Sequence, residues 1–350
     1  MEKLRVLIVD DAAFMRRALA QILAFDPTIQ IVDSVQNGLE ALKRIRIQRP
    51  DVITLDMDMP IMDGLTAIRH IMIETPIPIV VLSSLVHDGA VIFEALRLGV
   101  VDFIPKPSGA VSLNINTHQQ KIVDRVKMAH DVNLENLRRV RLPQKGLAQK
   151  GSNLPARHRP LEYLIAIGNT ISGPNTIIRL LSQLPSSLPA AVVVIQEISP
   201  RILPSFSERF NQFVPWEVRV AQNGMSLDQG TCYISSNENS LRIGINQEGI
   251  FCLQVGEEVQ EPLNGFFSSA AAAFGRKTVG LLLTGWGKDG TEGMARIQQE
   301  NGVTIVEDTR SCVYPYLVEE AIRLGVVDHV LYEKDISRAI ESLTVSAGSP

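Results

Sequence analysis

DVITLDMDMPIMDG, from Asp51 to Gly64, decides the fold of the N-terminal part of the chain. Its first half is a short β-branched run without polar alternation, which is how a strand buried on both faces reads, and it stops at Asp56 before a turn rich in Pro and Gly. Runs of the same kind lie on either side. VLIV (Val6 to Val9) leads into Asp10-Asp11, IPIVVLS ends at Ser83, and VDFI precedes Pro105 and Lys106. Between them are patterns of helical period such as FMRRALAQIL. Strands alternating with helices predict a parallel sheet covered by helices, and such a sheet presents its functional groups at the carboxyl ends of its strands.

Three acidic residues, Asp10, Asp11 and Asp56, fall at those strand ends. Carboxylates gathered at one edge repel one another unless a hard cation such as Mg²⁺ joins them through oxygen ligands. Ser83 and Lys106 bring a hydroxyl and a compact positive charge to the same edge, and both suit an anionic phosphoryl oxygen. Each element alone also fits a plain structural role: Asp10 or Asp11 as a helix cap, Asp56 as the start of the turn, Lys106 as a solvated loop charge. Together, DD, LDMDMPIMDG, LSS and Lys-Pro at successive strand ends resemble the receiver domain of bacterial two-component response regulators, from Met1 to about Val132. That resemblance implies a flavodoxin-like fold in which Asp56 takes a phosphoryl group from a phosphohistidine on a sensor histidine kinase. It further implies that Asp11, Asp56 and the backbone carbonyl of Asp58 hold Mg²⁺ with help from Asp10. Lys106 would pair with the phosphoryl group, Ser83 would follow it and Phe103 would swing inward.

A length of 350 residues exceeds one ordinary hydrophobic core, so two domains are expected. With 45% hydrophobic and 21% charged residues and a net charge of −4, the chain has no bulk attraction to nucleic acid or anionic lipid. The opening MEKLRVLIVDD reaches two aspartates too soon for a signal peptide, and no run approaches the ~20 apolar residues of a spanning helix, so a cytoplasmic protein without membrane insertion is expected. Cys232, Cys252 and Cys312 are widely spaced and form no CxxC pair, which predicts buried reduced thiols rather than disulfides or a zinc site.

Residues 133–160 carry Arg138, Arg139, Arg141, Lys145, Lys150, Arg157 and Arg159 against Glu135, among Gly, Gln, Ser and Pro. This reads as a flexible basic linker between a domain at 1–132 and one at 161–347. From Leu164 a second alternation begins: LIAIG, a helix from about Pro174 to Leu184, AAVVVIQ, a helix around Phe206 to Phe213, then VGLLLTG, a helix from about Thr291, and GVTIVED. It predicts a second doubly wound, Rossmann-like parallel sheet.

IGNTISGP, VIQEISP and LTGWGKDGTEG follow strands of that sheet, with FFSSAAAAFG between the last two. Their order resembles the catalytic domain of the chemotaxis protein-glutamate methylesterases (CheB family), from about Leu164 to Ile336, and a receiver joined to such a domain is that family's architecture. The resemblance implies hydrolysis of glutamate methyl esters and deamidation of glutamines on methyl-accepting chemoreceptors by a Ser-His-Asp triad. Here the nucleophile position holds Thr170, the base position Glu197, and only Asp289 matches. Ser172 stands at a glycine, Asn264 where an aspartate is usual, and Trp286 at a methionine.

A triad base must accept a hydroxyl proton near neutral pH, which an imidazole does and a carboxylate of unperturbed pKa ~4.3 does poorly. Of the histidines His70, His87, His118, His130, His158 and His329, only His329 falls in the second domain, away from the motifs. Thr170 as a turn hydroxyl, Glu197 as a strand-end acid and Asp289 as a cap are the structural alternatives. Two functions follow: a phosphorylated regulator whose output domain binds without hydrolysing, or an active methylesterase/glutaminase rebuilt on Thr170 or Ser172 with Glu197 and Asp289. A nucleotide-binding module is a third class, but neither GxGxxG nor GxxxxGK[ST] occurs.

Overall fold

The computed structural model describes residues 2–83, 89–106, 115–138, 161–171, 173–257 and 259–345. The chain divides into two compact units, Met1–Val140 and Arg141–Pro350. Each is an α/β domain with its own core, as the sequence predicts.

In the first unit, β1 (Leu4–Val9), α1 (Ala13–Ala24), β2 (Ile29–Val35), α2 (Gly38–Gln48), β3 (Val52–Leu55) and α3 (Gly64–Glu74) come first. They are followed by β4 (Ile79–Ser83), α4 (Gly89–Arg97), β5 (Asp102–Pro105), α5 (Ile115–His130) and α6 (Leu134–Arg138). All neighbouring strands are parallel, in the order β2-β1-β3-β4-β5. The chain reverses direction across the sheet between β1 and β3, and the crevice at such a point is where doubly wound sheets place ligands. All four residues of β3 are buried, so its uninterrupted apolar run follows from helices covering both faces.

The linker expected from Asn133 onward begins differently. Its first residues form α6, and Leu137, fully buried, docks that short helix on the first unit while Leu134 packs against the same core. A buried leucine outweighs local polar composition, because its burial contributes about 1.5–3 kcal/mol. The basic segment 139–160 lies outside the described residues.

The second unit begins with β6 (Tyr163–Gly168), α7 (Gly173–Gln183), β7 (Ala190–Gln196), α8 (Leu203–Phe210), β8 (Glu217–Val220) and β9 (Thr231–Ser236). The strands β10 (Ser240–Ile245) and β11 (Phe251–Gly256) form an antiparallel pair, and α9 (Pro262–Phe274) and β12 (Thr278–Leu282) come next. The unit ends with α10 (Thr291–Gln299), β13 (Val303–Glu307), α11 (Tyr316–Arg323), β14 (His329–Leu331) and α12 (Glu333–Val345). Seven parallel strands run β14-β13-β12-β6-β7-β9-β8. The reversal point lies between β6 and β12, so the loops after these two strands form the crevice. Helix α9 buries Leu263, Phe266, Phe267, Ala270 and Phe274, spaced by three or four residues along one face, in the core that also contains Leu164, Ala166 and Leu282 of the sheet. Among the described residues no helix is long and apolar enough to cross a membrane. All three cysteines are free and buried.

Candidate functional site

At the carboxyl edge of the first sheet, Asp10 follows β1 and Asp56 follows β3, both nearly fully buried, while Asp11 is exposed. One carboxylate oxygen from each of the three lies within 4.8 Å of the others. Lys106, just after β5, places Nζ 2.7 Å from Asp10 Oδ2 and 2.7 Å from Asp56 Oδ2. Three carboxylates against one ammonium leave two negative charges, and every donor is a hard oxygen, so the set fits a divalent cation of the Mg²⁺ kind. Burial raises the pKa of Asp56, and Lys106 acts against that rise. Burial lowers the pKa of Lys106, but its bonds to Asp10 and Asp56 outweigh this and leave it raised. An ammonium firmly charged between two buried carboxylates is a fixed positive point beside Asp56.

The turn after β3 is shaped for this edge. A Cβ at Gly64 would lie 2.5 Å from the carbonyl oxygen of Asp56, so only glycine lets α3 start there. Asp63 caps α3, its Oδ1 accepting from Thr66 N at 2.7 Å. Ile61 is held at φ 70°, a conformation that costs a β-branched residue energy and that collects near functional sites. The Asp58 side chain is exposed, and Phe103 is partly buried against the first unit's core. Ser83 closes β4 beside Pro105 of β5; its side chain lies outside the described residues.

In the second unit the three positions matching the triad all follow central, adjacent strands: Thr170 follows β6, Glu197 follows β7 and Asp289 lies in the loop after β12. The Thr170 hydroxyl accepts from Trp286 N at 2.8 Å and sits 3.4 Å from Trp286 O, to which it donates. It thus ties the loop after β6 to the loop after β12. Gly285, at φ 158°, makes room for it, since a Cβ there would lie 2.3 Å from Thr170 Oγ1. Gln196 Nε2 donates to the carbonyls of Thr170 and Glu197 at 3.2 and 3.4 Å, joining the two turns through an amide. Glu197 is half-buried, and Ser172 lies outside the described residues.

Asp289 is engaged structurally. Its Oδ2 accepts from Leu263 N and its Oδ1 from Asn264 N, both at 2.9 Å, which satisfies the first turn of α9. Burial raises its pKa, and these two N–H donors oppose the rise. Asn264 returns the bond: its Oδ1 accepts from Gly290 N and Gly293 N at 2.9 and 3.0 Å, capping α10, while its Nδ2 donates to Glu261 Oε2 at 3.1 Å. An aspartate at 264 would set a second carboxylate against Glu261, so the amide suits this neighbourhood. A cap was among the sequence readings of Asp289, but the return bond from Asn264 was missed, as was an aromatic group formed by Trp286, Tyr314 and Tyr316.

His329, the sole histidine between 161 and 350, is exposed on edge strand β14. Four strand spacings of about 4.8 Å separate β14 from β7, so it is about 19 Å from the Glu197 edge.

Comparisons with known proteins agree across the whole chain. Residues 165–340 match the CheB methylesterase family, and residues 6–116 match the response regulator receiver domain. The protein-glutamate methylesterase/protein-glutamine glutaminase of Pyrococcus abyssi is 32% identical over 97% of this chain and 95% of its own length. The second such protein of Carboxydothermus hydrogenoformans is 36% identical over 98% of this chain and 99% of its own. Among solved structures, the CheB methylesterase catalytic domain of Thermotoga maritima is 27% identical with a TM-score of 0.49, covering 52% of this chain and 98% of that one.

Proposed function

The chain belongs to the CheB methylesterase family, with a response regulator receiver domain ahead of its methylesterase domain, and from that premise we propose a phosphorylation-controlled regulator whose output domain binds chemoreceptors but hydrolyses poorly or not at all. Asp56 accepts the phosphoryl group from a sensor histidine kinase of the chemotaxis type: a carboxylate oxygen bonds to phosphorus as the bond from phosphorus to the kinase imidazole breaks. Lys106, already within 2.7 Å of Asp56, supplies the positive charge that receives the new phosphoryl oxygens. Asp10, Asp11 and Asp56, with the backbone carbonyl of Asp58, would hold Mg²⁺, which screens charge on the incoming group. Ser83 and Phe103 transmit the change. The chain acts in the cytoplasm, where kinase and receptor signalling domains are reached.

The observation that carries the loss of hydrolysis is the missing base. Glu197 stands in the histidine position, and His329, the one histidine between 161 and 350, is at the far edge of the sheet. A carboxylate cannot accept a hydroxyl proton efficiently near neutral pH, and such removal of a triad member typically lowers turnover by several orders of magnitude. The Thr170 hydroxyl, held by the backbone of Trp286, acts as a loop tie.

The deciding experiment is methanol release from membranes bearing methylated chemoreceptors, using the full chain with Mg²⁺ and beryllofluoride. Silence from the wild type, with activity gained by the Thr170→Ser, Glu197→His double variant, supports the proposal. Wild-type turnover abolished by Thr170→Ala would mean that the site has been rebuilt as an active methylesterase/glutaminase.

A further inference from the structure

Trp286 and Tyr316 are 45% and 48% exposed at the edge of the Thr170 turn, although large aromatic side chains usually gain from burial. Their ring centroids are 4.7 Å apart, and Tyr316 stacks on buried Tyr314 at 5.4 Å and 20°. Backbone bonds fix the arrangement. Gly285 N donates to Tyr314 O, Leu317 N to Gly285 O, and Tyr314 N to Thr284 Oγ1, each at 2.9 Å. A platform already held in place loses little conformational freedom when a partner arrives.

The surrounding charge selects what the platform can hold. Glu319 is exposed one turn beyond Tyr316 on α11, and Glu292 is exposed in the first turn of α10. Arg323 pairs with Glu320 at 2.6 Å, and exposed Lys288 lies 3.9 Å from Glu261 with its charge acting also on Glu320, so two bases stand against the four carboxylates Glu261, Glu292, Glu319 and Glu320. Among the described residues neither Glu319 nor Glu292 has an ion pair. Aromatic faces are themselves electron-rich, so rings and carboxylates both attract a cation, and a planar guanidinium stacks on indole better than a strongly hydrated ammonium does. A purely apolar occupant would leave the carboxylates desolvated and unpaired.

We propose that Trp286 and Tyr316 form a docking platform for an arginine-bearing segment of a protein partner, with the guanidinium stacked on the indole and paired with Glu319. This surface is independent of whether the domain hydrolyses esters, so its test and the methanol assay can fail separately.

The test is calorimetric titration of the full chain with a short alanine-based peptide carrying two arginines one helical turn apart, and with its citrulline counterpart. Citrulline keeps the shape and removes the charge. The arginine peptide is expected to bind and the citrulline peptide to bind at least about tenfold more weakly. Trp286→Leu, which keeps apolar bulk, should weaken the arginine peptide by about 3- to 30-fold, and Glu319→Gln should weaken it and reduce its salt dependence. Emission from Trp216, which is 1% exposed, reports that the Trp286 variant is folded. Equal binding of the two peptides, no binding of either, or full affinity in Trp286→Leu overturns the proposal. Self-association of the chain that disappears in Trp286→Ala also overturns it, by identifying the face as an interface between copies.

Discussion

Glu307 ends β13 with its side chain fully buried, and burial followed by the Glu333 carboxylate pushes its pKa from 4.5 up to about 7. Arg179, Cys312 and Ser311 pull the other way. Arg179 joins α7 to α12 through its ion pair with Glu333, so the ionised form of Glu307 would add a second buried negative charge beside a cation that already has a partner. The unfolded chain releases this proton near pH 4.5, while the folded chain keeps it until about pH 7. The contribution to stability is therefore fully present below pH 4.5 and is lost as the pH rises through 7. A rise from 4.5 to about 7, at about 1.4 kcal/mol for each pH unit, bounds the loss at about 3.5 kcal/mol. Urea unfolding followed by tryptophan emission reads the second unit alone, because Trp216 and Trp286 are the chain's two tryptophans. Stability of that unit should fall between pH 5 and pH 8 in the wild type and stay nearly level in Glu307→Gln. The same slope in both proteins would assign the titration to another group.

Helices α9 and α10 are held at their starts by each other's neighbourhoods, Asp289 capping the first and Asn264 the second. Asp289→Ala should lower the second unit's stability by about 1–3 kcal/mol, since it orphans two N–H groups and each lost cap costs about 0.5–2 kcal/mol. Asp289→Asn should cost less because one acceptor remains. A neutral Asp289→Ala would leave the residue with no structural role. The sequence offered Asp289 as a cap but not the helix it caps, because Leu263 and Asn264 are some 25 residues away and only the packing of α9 on the sheet brings them close. The central parallel strands were legible because burial on both faces writes them as unbroken apolar runs: all seven residues of β7 and all six of β6 are buried. Strands β10 and β11 were not, since SLRIGI alternates buried and open positions between short turns and its partner FCLQVG pairs with it antiparallel, and β9 was not because TCYISS, though fully buried, carries four hydroxyls. Helix α6 was hidden for a related reason: LENLR, five residues with three polar ones, forms a helix only because Leu137 has a core to enter.

At the scale of the whole chain, the same geometry occurs twice: a doubly wound parallel sheet with its site at the reversal point, between β1 and β3 in one unit and between β6 and β12 in the other. The first site keeps a complete set of charges around Asp56. The second has the loops, the glycine that admits Thr170 and the capping aspartate, with Glu197 at the end of β7 where a triad would place its base. A scaffold preserved in this way can still present a surface that the first unit regulates, and the tryptophans give a direct reading of it. The receiver contains none, Trp216 is buried, and Trp286 borders the Thr170 turn. Acrylamide quenching therefore reports almost entirely on Trp286. If phosphorylation at Asp56 controls the output face, beryllofluoride with Mg²⁺ should change the quenching constant in the wild type and leave it unchanged in Asp56→Ala. The mimic should also stabilise the receiver by about 2.7 kcal/mol at a hundredfold excess over its Kd, which confirms that it has bound. Stabilisation without any change at Trp286 would separate the two units functionally. It would mean that control reaches the output domain by a route that does not pass through the face around Thr170.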